Sequence, residues 1–184
     1  NGLTDLLHPC QVMADLLTGI EKFGDLAGRK LAYIGDGNNM VHSLMYGGAK
    51  VGMHVTCACP EGYEPDPEMA AAARADGAAT GAKMDIVRDP KEAVRGADIL
   101  YTDVWASMGQ EAEYEKRVRD FKGYQINAEL VSMANPDCIV MHCLPAHRGD
   151  EITDDAADGR HSVLWDEAEN RLHAQKAILA LTMS

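Results

Sequence analysis

The stretch Arg29-Lys30-Leu31-Ala32-Tyr33-Ile34-Gly35-Asp36-Gly37-Asn38-Asn39 decides the fold class. Its first half is typical of a buried strand, and its second half is a glycine-rich turn that leads into a helical pattern over residues 40–48. A strand, a glycine-rich turn and a helix in that order are typical of a Rossmann-type unit. The stretch therefore predicts a parallel sheet whose functional loops gather at the carboxyl ends of its strands.

A glycine-rich turn after a strand is typical of a dinucleotide-binding site, but two features of this sequence disfavour that function. Met40 stands where the third glycine of G-x-G-x-x-G is required, and the next strand, predicted over residues 51–59, ends in Cys59-Pro60 without an acidic residue for a ribose. A dehydrogenase domain is therefore disfavoured, and no cofactor is expected. Asn38 and Asn39 instead offer two carboxamides that suit a zwitterion such as an amino acid, although an Asx turn alone would also explain them.

The remaining sequence continues the alternation of strands and helices. We predict an α/β fold of the Rossmann-like, three-layer type: a mostly parallel five-stranded sheet with helices on both faces, forming one domain over residues 1–184. The other predicted strands are 83–87, 98–102 and 138–141, and the predicted helices begin at residue 9 and at residue 166 and span residues 66–79, 90–95, 111–120 and 128–133.

Composition excludes several classes of partner. The formal net charge is -12, from 17 Lys and Arg against 29 Asp and Glu, which disfavours nucleic-acid binding. The acidity mildly favours a cationic substrate, although it also serves solubility alone. No apolar run reaches the ~20 residues of a membrane span, so no membrane partner is expected.

The cysteines indicate a reducing environment and not a metal site. Five cysteines are scattered along the chain, an odd number that fits free thiols and a cytoplasmic location better than a disulfide framework. Cys57 and Cys59 share one face of a predicted strand, and because no second pair has metal-site spacing, we assign them to packing. The sequence therefore predicts no metal centre.

Polar groups at the start of the first helix form one candidate site. Pro9 suits the first helical position, so His8 and Gln11 lie where free N–H groups and the helix dipole favour an oxyanion or a polarised carbonyl. The alternative is a polar cap exposed to water.

A second candidate site follows the predicted strand at residues 138–141. The sequence there is His142-Cys143-Leu144-Pro145, and Asp103 ends the preceding strand, so Asp103 and Cys143 end neighbouring elements. Taken from the residues alone, Cys143 could be a thiolate, a metal ligand or a clamp for a substrate.

Five segments in one order resemble the ornithine carbamoyltransferase family. The Asp-x-x-x-Ser-Met-Gly loop and His-Cys-Leu-Pro point to ornithine, because the related aspartate enzyme has a different stretch at the second of these places. The matching segments are His8-Pro9-Cys10-Gln11, Gly35-Asp36-Gly37-Asn38-Asn39, Asp103-Val104-Trp105-Ala106-Ser107-Met108-Gly109, His142-Cys143-Leu144-Pro145 and Glu169-Asn170-Arg171.

The resemblance implies transfer of a carbamoyl group from carbamoyl phosphate to the side-chain amine of L-ornithine, giving L-citrulline and phosphate. It implies that the catalytic Asp103 and Cys143 flank the reacting amine, and the neighbouring carboxylate disfavours a nucleophilic thiolate, which leaves a substrate clamp. The implied ornithine-binding residues are Asn39, Asp103, Ser107, Met108, Cys143 and Leu144. The implied carbamoyl-phosphate-binding residues are His8, Gln11 and Arg171, which would meet the carbamoyl group as donors to its oxyanion.

One departure from the family limits the expected activity. Members of the family carry an amino-terminal domain with a Ser-x-Arg-Thr-Arg phosphate-binding run, and these 184 residues contain no such run. We therefore expect the ornithine-binding domain alone, inactive by itself, either as a piece of a longer enzyme or as a natural subunit beside a separate carbamoyl-phosphate-binding chain. The alternative is a stand-alone amino-acid-binding module without catalysis. The family implies a homotrimer, and the glycine at residue 109 favours a loop that closes over ornithine.

Overall fold

A single parallel sheet organises the part of the chain that the computed structural model describes, residues 1–106 and 111–183. Its strand order is β3-β2-β1-β4-β5, and each neighbouring pair is parallel. The strands are β1 (Lys30–Ile34), β2 (His54–Ala58), β3 (Met84–Val87), β4 (Ile99–Thr102) and β5 (Ile139–His142).

Helices connect the strands and cover both faces of the sheet, as predicted. Helices α1 to α3 pack with one core of the protein, and helices α4, α6 and α7 pack with the other. The helices are α1 (Pro9–Phe23), α2 (Asn39–Val51), α3 (Pro67–Ala78), α4 (Pro90–Val94), α5 (Tyr114–Asp120), α6 (Ala128–Met133), α7 (Asp154–Ala157) and α8 (Leu164–Thr182), with a short 3-10 turn at Glu111–Glu113.

The two cores arise from the alternation of side chains along each strand. In β1, Leu31 and Tyr33 face the core that contains α1, α2 and α3, whereas Ala32 and Ile34 face the opposite core. This alternation follows from the period of two in a strand, and burial on both faces is typical of parallel sheets. The predicted three-layer α/β class is confirmed.

The predicted boundary between the first two βα units was wrong by three residues. Helix α2 continues to Val51 and ends at Gly52, whose φ of +76° gives a left-handed cap. Gly48 does not stop the helix; a Cβ there would lie 2.7 Å from Val55 Cγ2, so glycine permits the close approach of α2 to β2.

The turn after β1 is held against the segment that follows β2. Gly37 N donates to Tyr63 O at 2.8 Å, and a Cβ on Gly37 would lie 2.2 Å from the backbone of Glu64 and Pro65. Glycine is therefore required at position 37, because the backbone of the segment after β2 occupies the space that a side chain would need. The contact fixes the turn that carries Asn38 and Asn39.

The strand order places a topological switch point between β1 and β4, since the chain leaves β1 in one direction and returns on its other side. Ligands of doubly wound sheets bind in the crevice at this point. Among the described helices, none combines the length and the apolar character that crossing a membrane would require.

Candidate functional site

The ends of β4 and β5 bring Asp103 and Cys143 together. Thr102 pairs with His142 in the sheet register, so the next residue of each strand emerges at the same edge. Cys143 Sγ donates to Asp103 Oδ1 at 3.0 Å. The predicted proximity of these two side chains is confirmed.

The second carboxylate oxygen of Asp103 is held from across the switch point. Asn38 Nδ2 donates to Asp103 Oδ2 at 2.8 Å, and Asn38 Oδ1 accepts from Met40 N at 3.0 Å as the cap of α2. Tyr33 Oη also lies within hydrogen-bond distance of Asn38 Oδ1, at 3.3 Å. Asn38 therefore serves both as a local cap and as a donor to the candidate site.

Asn39 lies at the start of α2 beside this carboxylate but points its amide elsewhere. Asn39 Nδ2 donates to Thr4 O at 2.6 Å. The side chain therefore contacts the segment before α1. Its role in ornithine binding stays a prediction.

The surroundings of the Cys143 thiol favour its protonated form over the thiolate. Burial raises its pKa well above the ordinary value of a cysteine, and the Asp103 carboxylate raises it further through its charge and its hydrogen bond. A protonated thiol is a donor and a poor nucleophile. The prediction that Cys143 is not an activated thiolate is confirmed.

Leu144 follows Cys143 in an unusual backbone conformation. Its φ is +56°, and the peptide bond to Pro145 is cis. Leu144 N donates to His142 Nδ1 at 2.8 Å, so Nδ1 is the acceptor and the proton of the ring lies on Nε2, which faces Glu151 Oε1 at 3.2 Å. The buried His142–Glu151 pair thus fixes the local backbone, whose left-handed conformation costs roughly 1–2 kcal/mol outside glycine.

Gln11 and Arg171 meet at the contact between α1 and α8. Arg171 Nη1 donates to Gln11 Oε1. Gln11 Nε2 donates to Asp15 Oδ1 at 2.8 Å and to Glu167 Oε1 at 3.1 Å, so both of its N–H groups have partners. Gln11 is buried, which contradicts the alternative of a water-exposed cap, and it presents its carbonyl oxygen, not an N–H group, on the side of Arg171.

His8 lies beside this pair at the start of α1. Its Nδ1 is 2.9 Å from Gly2 O, and its backbone N donates to Ser43 Oγ at 2.7 Å. Burial lowers its pKa below the ordinary value, and the charge of Arg171 adds to this. His8 is therefore neutral at pH 7 with its proton on Nδ1, since a carbonyl only accepts.

A buried ion pair anchors the loop after β4. Arg117 Nη1 donates to Asp36 Oδ2 at 2.6 Å and to Trp105 O at 2.8 Å. Burial raises the pKa of Asp36, and the guanidinium opposes this shift. The pair connects the turn after β1 with the loop after β4.

The predicted residues Ser107, Met108 and Gly109 of that loop lie outside the described residues.

Sequence reasoning missed two further buried acids and a tyrosine below Gln11 and Arg171. These are Asp15 on α1, Glu167 on α8 and Tyr101 on β4, all fully or almost fully buried. Asp15 lies four residues after Gln11, and Glu167 lies four residues before Arg171. Helical spacing places each acid on the face of its predicted partner, and that spacing could have identified both.

One group of side chains has the composition of a metal site. His147, Asp150 and Glu151 place one potential ligand atom each within 4.8 Å of one another. Glu151 Oε1 already accepts from His147 N at 2.5 Å. None of these three side chains was among the predicted site residues.

Cys57 and Cys59 have the packing role that was predicted. Both are buried in the core with free thiols, and their sulfur atoms lie 2.9 Å apart. Burial raises the pKa of Cys57 well above its ordinary value. These thiols are part of the apolar core.

Fold and site together define a class of protein: a doubly wound α/β domain with a buried carboxylate, held by a thiol and an amide, at the switch point of its sheet. The sequence model of the family described as aspartate/ornithine carbamoyltransferase, Asp/Orn binding domain, matches residues 27–182. The chain belongs to this family.

Named relatives agree with that assignment. An ornithine carbamoyltransferase of Symbiobacterium thermophilum is 62% identical over 184 residues, which cover 100% of this chain and 59% of that protein. The crystal structure of the Gloeobacter violaceus ornithine carbamoyltransferase has a TM-score of 0.93 at 58% identity, over 100% of this chain and 61% of that one. The ornithine carbamoyltransferase of Pyrococcus furiosus has a TM-score of 0.95 at 56% identity, over 100% of this chain and 58% of that one. The chain thus spans less than two thirds of the length of these relatives.

Proposed function

We propose that this chain is the ornithine-binding domain of an ornithine carbamoyltransferase, which transfers the carbamoyl group of carbamoyl phosphate to the side-chain amine of L-ornithine. The products are L-citrulline and phosphate. The observation that carries the proposal is the Asp103 carboxylate, held by Cys143 and Asn38 at the switch point. A buried, fixed carboxylate of this kind is a binding site for a cationic amine.

The reaction needs an unprotonated amine beside an acceptor. The side-chain ammonium of a free amino acid has a pKa of about 10 and cannot attack a carbonyl until it loses a proton. In our proposal, Asp103 and Cys143 bind this amine, and the Leu144 carbonyl is a further acceptor. Because the Cys143 thiol stays protonated, it orients the substrate and forms no covalent bond with it.

The other predicted residues complete the proposed site. Asn39, Ser107 and Met108 would bind the α-amino and carboxylate groups of ornithine. Arg171 would meet the oxygen of the carbamoyl group, which becomes negative in the tetrahedral intermediate, and Gln11 Oε1 would accept from the carbamoyl NH₂ group. Each donor placed at such an oxyanion lowers the activation free energy by roughly 3 kcal/mol.

In our proposal, the residues that bind the phosphate group of carbamoyl phosphate lie outside this domain. The relatives extend well beyond the 184 matched residues, which supports an additional carbamoyl-phosphate-binding domain. We propose that the isolated domain has negligible turnover and that the complete enzyme is a cytoplasmic homotrimer. The name of the Pyrococcus furiosus relative, ornithine carbamoyltransferase, anabolic, supports a role in arginine biosynthesis.

Substitution of the thiol tests this proposal. Cys143→Ala in an enzyme that contains this domain is expected to lower kcat/KM for ornithine by roughly 10- to 100-fold, the effect of one lost hydrogen bond to a charged group. Citrulline formation and circular dichroism are measured together, so that a loss of activity is separated from a loss of fold. Cys138→Ala, at the opposite end of β5, is the control and should leave kcat/KM unchanged.

Two outcomes would contradict the proposal. An unchanged kcat/KM in Cys143→Ala would refute the role of the thiol. Binding of ornithine by this chain without any citrulline formation, after a folded carbamoyl-phosphate-binding domain is supplied, would instead favour a stand-alone amino-acid-binding module.

A further inference from the structure

Two buried carboxylic acids face each other at the contact between α1 and α8. Asp15 is 3% exposed and Glu167 is 0% exposed. Gln11 Nε2 donates to both acids, and Tyr101 Oη lies 3.2 Å from Asp15 Oδ2 and 3.0 Å from Glu167 Oε1. Neither acid is among the residues assigned above to ornithine or to the carbamoyl group.

Every element packed against the two acids contributes a polar or charged group. The two helices contribute Gln11 from α1 and Arg171 from α8. Strand β4 contributes Tyr101, and Asp103 follows that strand. Strand β5 contributes the backbone N–H of His142, and the thiol of Cys143 follows it. His142 N donates to Glu167 Oε2 at 2.9 Å.

Arg171 does not neutralise the two acids by direct contact. Its guanidinium donates to Gln11 Oε1, so the amide of Gln11 lies between the cation and the carboxylates. Two ionised carboxylates in contact, both without water, repel each other strongly, and burial penalises each charge. Retention of one proton removes most of this penalty.

The electrostatics agree with that geometry. Burial raises the pKa of Asp15 to about 7. Burial raises the pKa of Glu167 well above its ordinary value, and the negative charge of Asp15 raises it further. A carboxylic acid and a carboxylate in contact titrate as one unit.

We propose that Asp15 and Glu167 share one proton at neutral pH and that this singly protonated pair positions Gln11 and Arg171. The pair accepts both N–H groups of Gln11, which leaves the carbonyl oxygen of the amide for Arg171. Both acids are positioning residues, since they act on the substrate through Gln11 and Arg171. The shared proton is a property of this chain alone, whereas its effect on catalysis rests on the proposed function.

Loss of the shared proton changes the charge next to Arg171. The doubly ionised pair attracts the guanidinium more strongly and competes for it with the carbamoyl group and its oxyanion. The affinity for carbamoyl phosphate therefore falls as the pH rises through the titration of the pair. The side of the site that binds the ornithine amine, at Asp103 and Cys143, is affected less.

Infrared spectroscopy of this 184-residue chain tests the shared proton without any ligand. We expect the carbonyl stretch of a protonated carboxylic acid near neutral pH in the wild type. The band should disappear in Asp15→Asn and in Glu167→Gln, because each leaves a single acid among amide donors. Glu169→Gln, an exposed position on α8, is the control and should keep the band. Absence of the band in the wild type, or its survival in both single variants, would overturn the shared proton.

Steady-state kinetics of the enzyme that contains this domain tests the positioning role. In the wild type, KM for carbamoyl phosphate should rise at least about threefold on the alkaline side of neutrality, with a smaller change in kcat. Glu167→Gln should flatten this dependence, because the altered pair can no longer lose the shared proton. A wild-type pH profile in Glu167→Gln would overturn the positioning role even if the infrared band is present.

The two measurements also separate this inference from the proposed function. If a folded, complete enzyme forms no citrulline, the proposed function fails, and the infrared result still decides whether the proton is shared. If citrulline forms but Glu167→Gln keeps both the band and the wild-type profile, the inference fails and the proposed function stands. Circular dichroism of Glu167→Gln excludes misfolding as the cause of either result.

Discussion

Two buried pairs of charged or titratable side chains flank the candidate site, and their buried acids are stabilised in different ways. Asp36 is neutralised by the guanidinium of Arg117 at 2.6 Å, whereas Asp15 and Glu167 face each other without a direct cation partner. The first pair joins one negative and one positive side chain. The second depends on a proton and is therefore sensitive to pH. The comparison shows that one domain contains a fixed electrostatic anchor and a titratable one, on either side of Asp103.

The difference follows from what each pair connects. Arg117 connects the turn after β1 with the loop after β4, where a permanent contact keeps both segments in place. Asp15 and Glu167 lie beneath Gln11 and Arg171, at the contact between the two helices that carry them. A cation inserted between these acids would compete with Arg171 for the same groups.

Removal of the cation from the first pair should have the largest effect. Arg117→Met leaves Asp36 buried without its partner, which costs about 3–5 kcal/mol of the free energy of unfolding. Urea denaturation monitored by circular dichroism measures this change. Arg119→Met, an exposed position on the same helix, should be nearly neutral. Equal effects in the two variants would show that the Asp36–Arg117 pair has no special role.

The pH dependence of stability should distinguish the second pair from the first. Between pH 3.8 and about 7, the folded pair keeps protons that the unfolded chain has released, so the free energy of unfolding falls as the pH rises. The contribution of Asp15 is fully present below pH 3.8 and amounts to about 4 kcal/mol, and Glu167, whose pKa is also raised, adds to it. Urea denaturation at several pH values should show a flatter slope for Asp15→Asn/Glu167→Gln than for the wild type. Identical slopes would contradict a titrating pair.

Loss of a single donor should have the smallest effect. Tyr101→Phe removes the hydroxyl that lies between the two acids and should lower the free energy of unfolding by about 1–2 kcal/mol. Tyr33→Phe is the matched control, because the two rings stack on neighbouring strands at 6.2 Å and Tyr33 Oη donates to a neutral amide. Tyr33→Phe should cost less than Tyr101→Phe, and the reverse order would count against the acid pair.

The fold and the centre of the candidate site could be predicted from the sequence because both depend on local patterns. Apolar runs identify the strands, and parallel strands end at one edge, so the proximity of Asp103 and Cys143 follows from their places after β4 and β5. The end of α2 was mispredicted because Gly48 stands in the helix for packing against Val55 and not as a stop signal.

Helical spacing relates Asp15 to Gln11 and Glu167 to Arg171, but the contacts within each buried pair could not be predicted, because they join residues that are distant in sequence. Asp36 and Arg117 are 81 residues apart, and Gln11, which bonds both Asp15 and Glu167, is 156 residues from Glu167. An arginine in a charged helix is ordinarily exposed, and nothing in the sequence around Arg117 marks it as buried. Only the assembled sheet brings these groups into contact.

The close contact at Gly37 limits how the sequence of this domain can vary. Any side chain at position 37 meets the backbone of Glu64 and Pro65, which cannot move aside as a flexible side chain would. In a saturation library selected for folded protein, position 37 should therefore return glycine, whereas Gly62 in the adjoining loop has open space around it and should accept asparagine. A redesign of this turn to bind a new ligand can therefore vary the neighbouring positions but has to keep glycine at position 37.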